Sequence, residues 1–143
     1  MIVLYDQSVE SDGLVVGAGN KTEILLGYTT LYGDSACALN PIGDLYKTQV
    51  RQLARAIGVP QVIIAKPPSA DLWEGQTDED ELGFTYEEVD RLLRLLVDEG
   101  FTPQACVEAG FAQDFVSTVV DRMQRNHFKR VLPPIAKLID PDR

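Results

Sequence analysis

The sequence predicts an α/β chain that is mostly helical in its second half. Three observations carry this. A short apolar run, Leu14-Val15-Val16, stops at Gly17-Ala18-Gly19-Asn20, as a buried strand does when it ends in a close-fitting turn. Leu45 to Ile57 repeats apolar residues at helical spacing. From Thr85 onward the chain reads as three consecutive helices with start and stop signals at each end.

The elements follow in order. Met1-Ile2-Val3-Leu4-Tyr5 begins without a cap, turn or leader and reads as the tail of an element, with an ordinary first strand or helix as the alternative. Asp12-Gly13 is a turn. Lys21 to Leu26 is a short helix, with Asn20 as its N-cap and Gly27 as its stop. Tyr28 to Tyr32 is apolar and β-branched enough to be extended, and Gly33 to Asp44 is a loop long enough to be functional. In the helix from Leu45, Tyr46, Val50, Leu53, Ala54 and Ile57 share a face and Gly58 closes it. Lys47 stands in its first turn, the end where the helix dipole disfavours a cation; a bound anion would explain the exception, while for a surface lysine simple solvation is the ordinary reading.

Lys66 to Leu72 is a stiff loop whose paired prolines present Ser69. The run Asp78-Glu79-Asp80-Glu81 reads as a solvated face. Thr85 and Glu88 form a capping box for a helix that runs to Glu99 and buries Val89, Leu92, Leu93 and Leu96. Thr102-Pro103 opens a second helix and Gly110 ends it. A third, from about Ala112 to Asn126, buries Phe115, Val116, Val119, Val120 and Met123 and carries Arg122 and Arg125 in its last turns. His127, the single histidine, has no serine or cysteine motif to serve, and Asp140 to Arg143 reads as a frayed tail.

Composition bounds the function. The chain has 143 residues, enough for one domain with a core, and no linker or repeat divides it. A net charge of -9 gives no reason to grip nucleic acid or an anionic membrane. Cys37 and Cys106 are far apart and lack CxxC spacing, which argues against a disulfide framework or zinc site and for a reducing compartment. No apolar run is long enough to span a bilayer; a cytoplasmic location is expected. The strand exit at residues 17–23 offers an amide, an amine, a hydroxyl and a carboxylate, a set suited to a polar ligand at a strand's carboxyl end.

Read together, Gly17 to Glu23, Gly27-Tyr28, Tyr32-Gly33-Asp34, Pro41-Ile42, Leu45-Tyr46-Lys47, Lys66 to Ala70, Gln76 to Glu79 and Phe128-Lys129-Arg130 stand in the order found in the NAD synthetases, and from Met1 to about Leu138 the chain resembles that family. The direct run from Tyr32-Gly33-Asp34 to Leu45-Tyr46-Lys47 is similar to the ammonia-dependent form. The resemblance implies a Rossmann-like α/β sandwich of the ATP-pyrophosphatase type and a homodimer. It implies ATP-dependent adenylation of the nicotinate carboxylate of deamido-NAD, loss of pyrophosphate, and attack by ammonia to give NAD and AMP. It further implies that Glu23 binds Mg²⁺, that Lys47, Ser69 and the backbone of Ala18 bind ATP, and that Phe128 and Lys129 face deamido-NAD.

The pattern is broken at several places. Ala18, Leu31, Ala38 and Phe128 replace the family's threonine, lysine, aspartate and histidine. No Ser-Gly-Gly-x-Asp-Ser run, the family's phosphate loop, occurs in the chain. It would lie upstream of Met1 with the first βαβ units, so the chain reads as the C-terminal portion of a synthetase. The expectation is that by itself it makes no NAD and that the strand edge at 14–17 promotes self-association. Two rival readings remain. One is another ligase of the ATP-pyrophosphatase type, which would not combine these motifs. The other is a truncated or degenerate product without catalysis.

Overall fold

The computed structural model describes residues 1–69 and 72–138; the tail at Asp140 to Arg143 and part of the Ser69–Leu72 loop lie outside the described residues. Helices α1 (Ile2–Glu10), α2 (Lys21–Leu26), α3 (Lys47–Ala56) and α4 (Gln61–Ile64) make up the first half. Helices α5 (Asp78–Leu82), α6 (Tyr86–Leu93), α7 (Pro103–Glu108) and α8 (Gln113–Arg125) make up the second. Helix α6 continues into a π-helical turn at Arg94–Asp98, and a 3₁₀ turn at His127–Arg130 follows α8.

The expected strand at 14–17 is present as a single parallel bridge between Val16 and Leu39. Its hydrogen bonds run from Gly17 N–H to Leu39 C=O (2.7 Å) and from Ala38 N–H to Val15 C=O (2.9 Å). Gly17 permits this approach: a Cβ there would lie 2.5 Å from Cys37 Sγ. No further strand pairing occurs among the described residues.

The core lies where α2 and α3 meet α6, α7 and α8. Leu26, Tyr46, Tyr86, Val89, Leu92, Leu93, Cys106, Val116 and Val119 are each at most 2 % exposed. Phe84 packs edge-on against Phe115 with ring centroids 5.4 Å apart. The caps expected from the sequence form. Asn20 Oδ1 accepts from Glu23 N–H and Glu23 answers at Asn20 N–H, while Gly27 ends α2 at φ 64°. Thr102 caps α7, with Pro103 at its first position.

Several expectations change. Residues 28–32 form a turn rather than an extended segment, because Asp34 Oδ1 accepts from Thr30 N–H (2.6 Å) and folds the chain back. The acidic run at 78–81 is α5, capped by Thr77, and Asp78 is buried (5 % exposed), not solvated. Two phenols explain its burial: Tyr86 Oη donates to Asp78 at 3.0 Å and Tyr28 Oη at 3.3 Å. Thr85 caps α6, but the side chain that reaches back is Glu79 of α5, accepting from Tyr86 N–H at 3.0 Å. On α3, only the Tyr46 end of the expected face is buried. Leu53 and Ile57 are open to solvent. Helix α1 buries none of its residues, and Ile2, Val3, Leu4 and Val9 are all exposed. Cys37 and Cys106 are both free thiols, and no described helix is long and apolar enough to cross a membrane.

Candidate functional site

Two cavities share a wall. The first, about 450 Å³, lies between α2, α3, α4 and the Lys66–Ser69 segment. Glu23, Asp34, Lys47, Lys66, Ser69 and Asp78 supply its polar groups, and Val50, Ala54, Val59, Ile63 and Ile64 its apolar side. The uncovered face of α3 therefore has a use: Val50 and Ala54 line a cavity rather than a core. Glu23, Lys47 and Ser69, far apart in the chain, meet here.

Each is positioned by local structure. Glu23 is the third residue of α2, where the capping box turns its carboxylate; one oxygen accepts from Asn20 N–H (3.1 Å) and the other from Lys47 Nζ (2.8 Å). Lys47 opens α3. Its cation at the wrong end of the dipole is thus offset by a protein carboxylate, and its Nζ also lies 5.1 Å from the Tyr86 ring centre. Its backbone N–H donates to Thr22 Oγ (3.0 Å), and Thr22 donates to the buried carboxylate of Asp90 (2.5 Å). Asp90 in turn accepts from Thr48 N–H (2.8 Å). Asp90 is a cap supplied by another helix, and it ties α2, α3 and α6 together at the foot of Lys47. Pro68 C=O accepts from Asp78 N–H (2.9 Å), which holds the loop carrying Ser69 against α5.

Beside this network, Lys21 bonds Asp98 (2.8 Å), which also accepts from Tyr46 Oη (3.0 Å). The bond to Asp98 pushes the Lys21 ammonium up to about 12, and the Lys21 contact holds the Asp98 carboxyl below its usual range. Burial, aided by the Asp98 bond, pushes Tyr46 up to about 12.

The second cavity, about 550 Å³, shares Tyr28 and Asp34 with the first. Trp73, Gln76, Glu81, Arg122 and Lys129 line it. Tyr28 Oη donates to Glu81 (2.9 Å) as well as to Asp78, and burial with these two carboxylates pushes its proton loss far upward. Gln76 Nε2 also donates to Glu81, and Gln76 before Tyr28 holds that carboxyl below its ordinary value. The Arg122 guanidinium lies 5.8 Å from the Tyr28 ring centre. Its Nε is buried with no hydrogen-bond partner among the described residues.

Of the residues singled out from sequence, Glu23, Lys47 and Ser69 share the first cavity and Lys129 lines the second. Lys129 Nζ donates to Gly27 C=O and Thr29 C=O, each at 2.7 Å, so two of its three N–H groups hold the chain after α2. Ala18 is exposed and lines neither cavity. Phe128 is 55 % exposed and also lies outside both linings. Sequence reading assigned no site role to Tyr28, Trp73, Asp78 and Arg122, although Tyr28 and Asp78 stand in the motifs that carry the resemblance. Asp78 was hidden in an acidic run, and Arg122 looked like an ordinary last-turn cation.

A carboxylate beside a lysine suits Mg²⁺ and a polyphosphate together, since Mg²⁺ takes one or two carboxylates and completes its shell with phosphate and water. Glu23 fits that role with its remaining lone pairs. No group of three or more His, Cys, Asp or Glu side chains that could hold a metal occurs among the described residues.

Comparisons with known proteins identify the family. The model of the NAD synthase family matches residues 1–133. The ammonia-dependent NAD⁺ synthetase of Trichlorobacter lovleyi is 62 % identical over 138 residues, covering 96 % of this chain and 50 % of that protein. That of Fusobacterium nucleatum is 52 % identical, covering 96 % and 54 %. Among solved structures, an NMN synthetase from Francisella tularensis superposes with a TM-score of 0.80 at 34 % identity over 96 % of this chain and 52 % of its own. The ammonia-dependent NAD synthetase of Campylobacter jejuni, in complex with nitrate, gives 0.73 at 34 % identity over 96 % and 51 %. The chain spans about half the length of the relatives it matches. With this family match across most of its length, the chain belongs to the NAD synthase family.

Proposed function

We propose that this chain carries part of the machinery of an ammonia-dependent NAD⁺ synthetase: the side that receives ATP with Mg²⁺ and the entrance for deamido-NAD. One observation carries the reading. Glu23, Lys47 and Ser69 line a single cavity whose Tyr28–Asp34 wall also bounds the cavity lined by Lys129. Adenylating a carboxylate requires the triphosphate and the acid to be held with their reacting atoms in direct contact, which calls for adjoining binding sites.

The chain's own residues divide the work. Lys47 supplies a cation to the triphosphate and must exchange Glu23 for it, which leaves Glu23 free for Mg²⁺. Bound Mg²⁺ would neutralise charge on the departing pyrophosphate. Ser69 offers a hydroxyl at the cavity wall, and Val50, Ala54 and Ile63 offer the apolar surface a purine needs. Lys129 keeps one N–H for the acid substrate. Ala18 and Phe128 drop out as contacts in these two cavities. A homodimer and a cytoplasmic location belong to the same proposal.

The chain holds no Ser-Gly-Gly-x-Asp-Ser run, so it lacks the backbone cradle for the leaving pyrophosphate that the resemblance implies. The purified chain supplied with ATP, Mg²⁺, deamido-NAD and ammonium is expected to form no NAD by an alcohol-dehydrogenase-coupled assay. It is expected to bind Mg²⁺–ATP, and Lys47→Ala is expected to weaken that binding at least tenfold by titration calorimetry. Equal binding by wild type and Lys47→Ala would overturn the site assignment; NAD formation would overturn the partial-machinery reading. A second reading, with nicotinic acid mononucleotide as the acid, is favoured by the likeness to an NMN synthetase and is separated by comparing the two acids as ligands.

A further inference from the structure

We infer that Lys129 is a positioning residue for the first cavity, which it does not line. With Asn126 and Arg130 it clamps the C-terminal end of α2, and so sets the wall of Tyr28 and Asp34 that the two cavities share. The effect on the nucleotide rests on the proposed function, which puts ATP in the first cavity; the clamp itself does not.

A helix ends with carbonyls that have no partner within it. At the end of α2 the backbone answers for two of them. Tyr28 N–H donates to Glu23 C=O (2.9 Å) and Gly27 N–H to Ile24 C=O (3.2 Å). Side chains from the end of α8 and the 3₁₀ turn answer for the carbonyls that follow. Arg130 Nη1 donates to Leu25 C=O, and Asn126 Nδ2 to Leu26 C=O (3.0 Å). Lys129 Nζ donates to Gly27 C=O and to Thr29 C=O, each at 2.7 Å. Lys129 and Arg130 bring cations to the end of a helix where the dipole favours them. Gly27 makes the close approach possible, since a Cβ there would lie 2.2 Å from Asn126 Cβ.

Tyr28 stands between the two carbonyls that Lys129 holds. Its backbone is fixed on both sides, and its hydroxyl is fixed by Asp78 (3.3 Å) and Glu81 (2.9 Å) of α5. Thr30, the residue after the second carbonyl, donates its N–H to Asp34 Oδ1 (2.6 Å). Tyr28 and Asp34 are the residues common to both linings, so one ammonium stands behind both of them. Two of its three N–H groups are engaged in short, charge-assisted bonds to backbone, which leaves one for a ligand. A lysine that only gripped a ligand in the second cavity would leave the first indifferent to its removal. A lysine acting through Tyr28 would not.

Amide hydrogen exchange of the full chain tests the clamp without any ligand. In Lys129→Met the amides of Tyr28 and Thr30 should exchange roughly tenfold to a hundredfold faster, while those of α6 keep their rates. Lys129→Arg should restore most of the protection, and circular dichroism checks that both variants fold. Wild type gives a second reading by nuclear magnetic resonance: the Lys129 ammonium should exchange its protons slowly and show Overhauser contacts to Gly27 and Thr29. Calorimetry then follows Mg²⁺–ATP through a double-mutant cycle. Lys129→Met should weaken it roughly threefold to tenfold in the wild-type background and leave it unchanged beside Tyr28→Leu. Unaltered exchange at Tyr28 and Thr30, or an ammonium exchanging like a solvated one, would overturn the clamp. Equal weakening in both backgrounds, or none in either, would overturn its action through Tyr28. If wild type binds no Mg²⁺–ATP, the proposed function fails and the positioning role with it, whereas failure of the clamp shows in the exchange rates alone.

Discussion

Replacing Thr22 by valine removes one oxygen atom and tests the network beneath Lys47. Thr22 is fully buried and its hydroxyl serves twice, donating to Asp90 (2.5 Å) and accepting from Lys47 N–H (3.0 Å). Valine fills nearly the same volume but does neither. The first loss is a hydrogen bond to a buried carboxylate, worth about 1.5–3 kcal/mol. The second leaves a backbone N–H without a partner at about 1–3 kcal/mol. Together the two come to about 2.5–6 kcal/mol, a large share of the ~5–15 kcal/mol that holds a domain of this size. Thr22→Ser is the control: it keeps the hydroxyl and gives up a methyl group, at about 1 kcal/mol. The assay is urea unfolding followed by far-ultraviolet circular dichroism. With a slope of about 2 kcal/mol per molar urea, Thr22→Val should lower the midpoint by about 1.3–3 M and Thr22→Ser by about 0.5 M. Equal midpoints for the two variants would refute the claim that this hydroxyl joins α2, α3 and α6.

Other tests address other parts of the molecule. Gly27→Ala forces φ 64° on a residue with a Cβ that would sit 2.2 Å from Asn126 Cβ, and should cost about 2–4 kcal/mol, read as a Tm lower by roughly 8–15 °C. Lys21 and Tyr46 hold their protons more tightly folded than unfolded, so their contribution to stability is complete below about pH 10 and drains away as pH climbs to about 12. Asp98 loses its proton more readily when folded, so its contribution is present above the ordinary carboxylate range and disappears as pH falls below it. Asp98→Asn should flatten both limbs of a plot of urea midpoint against pH. Glu23→Gln should remove most of the gain in ATP affinity that Mg²⁺ gives, measured by calorimetry with and without a chelator.

Where a residue's role is set by its neighbours in sequence, the chain could be read directly. Asn20, Gly27, Thr102 and Pro103 act within a single helical turn, and each stands where the sequence puts it. The meeting of Glu23, Lys47 and Ser69 was reached through the family's motif order, since no spacing rule brings residues 24 and 46 positions apart together. Contacts made across the fold were not legible. Asp78 looked solvated because nothing nearby in sequence announces Tyr28 and Tyr86, whose phenols make its burial tolerable. Asp90 sits on the buried side of α6 and acts through Thr22, 68 positions away. The period that marked the face of α3 was real, but periodicity records only which residues are apolar. It cannot distinguish a face pressed into a core from one that lines a hollow, and α3 does the second with Val50 and Ala54.

Tyr28 has a consequence for affinity. One ring belongs to both chambers, pinned at its oxygen by Asp78 and Glu81 and overlain by Arg122. Any molecule that displaces this ring from one side alters the shape offered on the other. Two ligands that each displace this ring would be thermodynamically linked, and whatever factor the first applied to the second would be returned in equal measure. Coupling of this kind lets loading on one side prepare the other without any hinge or lid.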